Sequence, residues 1–171
     1  MPDTPEQATP DLGGPVADRD VWSAANCSVG RALEVVGTRS AMLMMREAYY
    51  GTRRVDDFAR RVGVSEPVAA ARLRELVAAG LLVRRPYREP GARSRMEYRL
   101  TTKGRDLLPA VIALMQWGDA YAADPAGPPI ELRHRDCGAA VRAELRCADG
   151  HQVAARQIAV TAGPGARRSA G

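Results

Sequence analysis

The sequence predicts a mainly α (α+β) fold: a winged helix-turn-helix, then a long C-terminal helix, then a small β-hairpin tail. Three observations predict it. Apolar residues Val55, Phe58, Ala59 and Val62 repeat at helical spacing and stop at Gly63. A second helical pattern, Ala69, Leu73, Leu76 and Val77, resumes after Ser65 and stops at Gly80. Two β-like runs follow, Leu81-Leu82-Val83 and Met96 to Leu100, with a turn signal at Pro90-Gly91 between them.

Taken in order, residues 1–20 carry Pro2, Pro5, Pro10 and Pro15 among scattered acids, the composition of a disordered tail. The main domain is expected over 21–123. Its first helix runs from Cys27 to Gly37, capped by Asn26 or Cys27, and its second from Thr38 to Tyr50, where the Met run fills core gaps. Gly63 suits the left-handed residue that ends a helix. Ser65 is a good N-cap for the next helix, and Pro67 is tolerated in a first turn, where its missing N–H costs little. Thr101-Thr102 caps a further helix from Lys103 to Ala123, which Pro109 should kink or deprive of one hydrogen bond. Leu107, Leu108, Val111, Leu114, Met115 and Trp117 give that helix a wide apolar stripe, which needs a cover: a second copy of the chain, or its own domain.

Two helices across a short Gly-containing turn, the second presenting Arg, follow the plan of a DNA-reading unit. The head of the second helix, Ser65, Glu66, Val68 and Ala69, would then meet base edges together with Arg72. Arg53 and Arg54 precede the first helix of the pair, and Arg84, Arg85, Arg88, Arg93, Arg95 and Arg99 decorate the hairpin. The bland reading is an amphipathic helix pair beside a solvated hairpin. Charge placement favours the DNA reading. The net charge of the 171 residues is +5, and basic residues outnumber acidic ones by 14 to 6 over 53–105, against 4 to 7 over 1–52 and 7 to 7 over 106–171. That is the electrostatic footprint of a phosphate-binding surface.

Several motifs in consistent order resemble the HxlR-type family of bacterial winged helix-turn-helix transcriptional regulators. Cys27-Ser28-Val29-Gly30-Arg31-Ala32-Leu33 is similar to its opening. Arg46-Glu47, Gly51-Thr52-Arg53-Arg54, Arg72-Leu73-Arg74-Glu75-Leu76 and Ala79-Gly80-Leu81 follow, then Arg84-Arg85-Pro86-Tyr87, Glu97-Tyr98-Arg99-Leu100-Thr101 and Lys103-Gly104. The likeness covers about residues 26–120. It implies a homodimer built from the N-terminal helix and the helix after the wing, bound to double-stranded DNA at a pseudo-palindromic operator, as repressor or activator. The chain departs from the family at Ser40, where Trp is usual, and at Ala70-Ala71-Arg72, where Ser-Arg-Arg is frequent, leaving Arg72 as the main base-reading candidate and Arg74 as an ion-pair partner or reader. The resemblance also implies a redox- or electrophile-sensing role for Cys27; the alternative is a small buried packing residue.

After a linker at 124–129, residues 130–162 read as two or three short strands folding over the main domain, and 163–171 as a disordered tail. His134-x-x-Cys137 and Cys147-x-x-x-His151 supply four donors across this hairpin, the number a tetrahedral zinc takes. No cofactor is otherwise required. Three cysteines argue against a disulfide scaffold and for a reducing cytoplasm. No apolar run approaches ~18 residues, so no membrane span is expected. No phosphate-binding glycine loop, nucleophile elbow or paired carboxylates suggest an enzyme. The rival function is a winged-helix protein–protein interaction module with a zinc-ribbon-like tail.

Overall fold

The computed structural model describes residues 10–19, 23–87 and 95–168; the turn expected at Pro90-Gly91, with Arg88 and Arg93, lies outside them. In chain order the elements are β1 (Asp11–Leu12), α1 (Ser28–Val36), α2 (Arg39–Tyr49), α3 (Val55–Val62), α4 (Glu66–Ala78), β2 (Leu82–Tyr87), β3 (Arg95–Leu100), α5 (Thr102–Asp106), α6 (Leu108–Tyr121) and β4 (Ala159–Val160). The chain divides into two units, Ala32–Ala143 and the pair of segments Met1–Arg31 and Glu144–Gly171.

In the Ala32–Ala143 unit, α2, α3, α4 and the β2–β3 hairpin close around one core. Thr38 caps α2 by accepting from the Ala41 N–H at 3.2 Å. Gly63 ends α3 at φ 74°, ψ 44°, a conformation that a Cβ disfavours. Phe58, Met44, Met45, Leu73, Leu76 and Leu82 are fully buried, and Tyr98 meets Phe58 edge to face with ring centroids 6.4 Å apart. Each such side chain contributes about 1.5–3 kcal/mol on burial. β2 and β3 are antiparallel, from Leu82 opposite Leu100 to Tyr87 opposite Arg95. Both strands run longer than the sequence pattern suggested.

The long helix after the wing is two helices. Pro109 stands in the first turn of α6, where its lack of an N–H is harmless, and the backbone breaks at Leu107 between α5 and α6. Thr101 holds the start of α5: its hydroxyl accepts from the Gly104 N–H at 3.0 Å and lies 2.7 Å from the Gly80 carbonyl, to which it donates. Gly104 is required by space, since a Cβ there would stand 2.2 Å from the Leu81 carbonyl oxygen. The Tyr49 hydroxyl donates to the Gly104 carbonyl at 2.5 Å. Burial, with a smaller contribution from Asp106, pushes the Tyr49 phenol up to about 12.

The strands expected in the tail are largely absent among the described residues. Within the same unit the chain makes a tight turn closed by one bridge, Arg133 to Ala140. The side-chain amide of Gln116 of α6 holds the following segment: its Nε2 donates to the Val141 carbonyl at 2.8 Å and its Oε1 accepts from the Ala143 N–H at 2.9 Å.

In the other unit the expectation of free tails at 1–20 and 163–171 is corrected over the described residues. β1 pairs in parallel with β4, Asp11 with Ala159 and Leu12 with Val160. Val16 is buried, the Ser23 N–H donates to the Arg167 carbonyl at 2.9 Å, and Asn26 donates to the Gly165 carbonyl at 3.1 Å. These hydrogen bonds follow no apolar periodicity, so a reading of hydrophobic pattern misses them. A second turn with one bridge, Arg146 to Gln152, lies here too.

Candidate nucleic-acid interface

The head of α4 is open to solvent. Ser65 has the extended backbone of an N-cap, but its hydroxyl makes no capping bond, and Ser65, Glu66 and Val68 are exposed. Ala69 is a correction to the expected contact set: it is 0% exposed, packed in the core with Leu73 and Leu76, and a side chain there meets no DNA. The apolar i, i+4, i+7 pattern of Ala69, Leu73 and Leu76 carried that signal.

The two arginines of α4 sit differently from the sequence expectation. Arg72 flanks the buried stripe, its side chain 26% exposed, and it forms an ion pair with Glu75 one turn on. Arg74 is exposed and its Nε donates to the Ala70 carbonyl at 3.3 Å. Of the two, Arg74, expected as an ion-pair partner or a reader, is the exposed one, while Arg72 takes the ion pair.

The segment before α3 is held by a buried carboxylate. Glu47 accepts from the Thr52 hydroxyl at 3.1 Å and from Arg46 Nη2 at 2.7 Å, with Arg61 Nη1 3.8 Å away. Arg61 also donates to the Thr52 hydroxyl at 2.8 Å. A buried charge persists only when paired in this way. The network fixes the backbone of Gly51 to Arg54, so Arg53 projects beside the hairpin, and the Tyr98 N–H donates to the Arg53 carbonyl at 2.8 Å. Arg54 forms the N-cap of α3 and pairs with Asp56 at 3.5 Å.

On the hairpin, Arg84, Arg85, Arg95 and Arg99 are exposed. The register puts Leu82, Arg84, Tyr98 and Leu100 on one face and Arg85, Glu97 and Arg99 on the other, because side chains alternate along a strand. Arg93 lies outside the described residues. α4, the loop with Arg53 and Arg54, and the hairpin thus belong to one unit that bears exposed guanidinium groups, the donors best suited to phosphate and to guanine.

Cys27 immediately precedes α1 and is exposed in the single chain rather than packed in its core. Its carbonyl accepts from the Arg31 N–H at 2.9 Å, and with Ser23, Asn26 and Gly165 it lines a cavity of about 350 Å³. In the tail, His134 Nδ1 lies 3.1 Å from Cys137 Sγ, and separately Cys147 Sγ lies 3.6 Å from His151 Nδ1. Taken alone, each turn offers two donors where a structural zinc uses four. Among the described residues no three or more His, Cys, Asp or Glu side chains group as a metal site.

A helix pair with a basic hairpin beside it is a winged helix-turn-helix, the architecture of DNA-binding regulators. The profile of the HxlR-like helix-turn-helix family matches residues 35–125, and the chain belongs to that family. It is 48% identical over 139 residues to an uncharacterized HTH-type transcriptional regulator of Mycobacterium tuberculosis, across 81% of this chain and 87% of that protein. A similar regulator of Methanothermobacter thermautotrophicus is 33% identical over 98 residues, 57% of this chain and 73% of that one. Among solved structures, PA1607, described as a candidate transcription factor, superposes with a TM-score of 0.71 at 38% identity, covering 80% of this chain and 95% of its own. The oxidized form of the redox regulator HypR superposes with a TM-score of 0.52 at 28% identity, over 57% of this chain and all of that one. The chain is a transcriptional regulator with a DNA-binding helix-turn-helix. No helix among the described residues is long and apolar enough to cross a membrane.

Proposed function

We propose that the protein is a homodimeric, sequence-specific repressor that binds a pseudo-palindromic operator and is released by oxidation or alkylation of Cys27. One observation carries the reading: the exposed head of α4 and the exposed arginines of the hairpin belong to a single unit with a shared core. In this reading Ser65, Glu66, Val68 and the arginines of α4 enter the major groove. Arg53, Arg54, Arg84, Arg85, Arg95 and Arg99 face the backbone and the flanking minor groove. Repression follows from occupancy of a site that overlaps a promoter.

Dimerisation is supported by the outward stripe of α6, where Leu114, Trp117 and Tyr121 are 53%, 59% and 77% exposed at helical spacing. Val29 and Leu33 of α1 are exposed as well. Such apolar side chains in a row ask for a partner surface. The switch at Cys27 is supported by its exposure and by the likeness to a protein that is itself a redox regulator. Iodoacetamide labelling of native protein checks it: Cys27 should react before unfolding and labelling should release DNA, and a Cys27 inert until denaturation ends the idea.

The deciding experiment for DNA recognition is fluorescence anisotropy on a duplex from upstream of the protein's own gene, against a scrambled duplex, at two salt concentrations. Binding that survives scrambled competitor, and weakens with salt at about −0.9 per phosphate contacted, is expected. Equal binding to both duplexes overturns sequence specificity. No binding at low salt overturns the DNA reading in favour of protein–protein docking.

A further inference from the structure

Glu97 is the one acid on the basic face of the hairpin among the described strand residues, and it is not a surface charge. Its side chain is 7% exposed, against 47% for Arg99 and 52% for Arg53. Oε1 accepts from Arg99 Nε at 2.5 Å, and Oε2 lies 3.8 Å from Arg53 Nη1. Arg85 stands directly across the ladder, on the same face. One buried carboxylate therefore sits among three arginines drawn from three segments: the loop before α3, β2 and β3.

We propose that Glu97 is a positioning residue of the DNA interface, which fixes Arg53 and Arg99 and restrains their pull on phosphate. The inference rests on the DNA-binding reading above. A guanidinium has five N–H donors, so each arginine keeps donors free for DNA while one edge is tied to Glu97. The tie removes rotamer freedom, which aims the group. It also places a negative charge within reach of any phosphate that approaches, which lowers the gain from contact. Arg84, on the opposite face of the strand, is not subject to this restraint. The basic surface thus has two grades of arginine, free ones that supply non-specific attraction and tethered ones that engage only in the right register. Discrimination between sequences needs weak binding to wrong DNA, and an internal counter-charge supplies that.

The test uses full-length protein and the two duplexes above, with anisotropy titrations across a salt series. In the wild type, Arg84→Gln should reduce the salt slope by about 0.9, whereas Arg53→Gln should change it by less than about half as much. Glu97→Gln should steepen the slope by about 1 to 2, raise affinity for the scrambled duplex about tenfold at low salt, and narrow the preference for the upstream duplex. Adding Arg53→Gln to Glu97→Gln should remove part of that gain. Equal slope losses for Arg53→Gln and Arg84→Gln overturn the proposal even if Glu97→Gln does not fold. A folded Glu97→Gln variant with unchanged slope and preference overturns it as well. If wild type binds neither duplex, the DNA-binding reading fails and this inference with it; if wild type binds normally, failure of these variants counts against Glu97 alone.

Discussion

At the scale of single residues, the arginines of α4 separate by what they touch. Arg72 spends its charge on Glu75 and lies against the core edge, while Arg74 faces outward. Arg74→Ala should cost about 1–3 kcal/mol of operator affinity at one base position, and Arg72→Ala should cost less in binding and more in folding. Substitution of each operator position in turn, measured by anisotropy, distinguishes the two. Tyr49 gives a prediction about pH. Its phenol sits at about 12 in the folded state against an ordinary 10.0, so the neutral form is favoured by folding. Its contribution to stability is complete below about pH 10 and is lost as pH rises from there through about 12, because the unfolded chain gives up its proton first. Denaturant melts should show stability falling over that window, and Tyr49→Phe should flatten the fall relative to wild type. Arg74 was named in the sequence only as an ion-pair partner or reader, and Tyr49 did not stand out at all, since it matters through a contact with Gly104, 55 positions away.

At the scale of elements, most of the architecture was legible. Gly63 and Gly80 marked real helix ends, and the apolar spacing in α3 and α4 picked out the buried face. Apolar spacing marked Ala69 for the core, while its place at the head of α4 put it in the expected contact set, and burial is what the structure shows. After the wing, the kink expected at Pro109 is a break at Leu107, which divides one expected helix into α5 and α6. The motif Lys103-Gly104 has a purely steric meaning: α5 crosses the chain at Leu81 so closely that no Cβ fits. Lys103 Nζ donates to the Ala79 carbonyl at 2.8 Å and draws the two segments together. Gly104→Ala should therefore destabilise the protein by about 1–3 kcal/mol, seen as a lower midpoint in urea. A midpoint equal to wild type would mean that α5 shifts away freely.

At the scale of the whole molecule, the sequence conveyed the basic segment and the apolar stripe, but nothing of how the two ends of the chain are used. The outward stripe on α6 yields the main prediction here. Leu114→Asp changes a residue that is exposed in the single chain, so the fold should survive with its circular dichroism intact. Sedimentation at micromolar concentration should then report a monomer where wild type gives a dimer, and affinity for a two-half-site duplex should fall by at least about a hundredfold through loss of the linked second contact. A Leu114→Asp variant that keeps the dimer mass would locate the interface elsewhere.

The pairing of β1 with β4 also has a consequence for biosynthesis. Asp11 and Leu12 leave the ribosome long before their hydrogen-bonding partners, Ala159 and Val160, which are translated 148 residues later. At about 5–20 residues per second, the first strand waits roughly 7–30 seconds for its mate, while the Ala32–Ala143 unit has time to fold in between. A nascent chain stalled before Ala159 should thus carry a finished helix-turn-helix and an unzipped leading segment open to proteases.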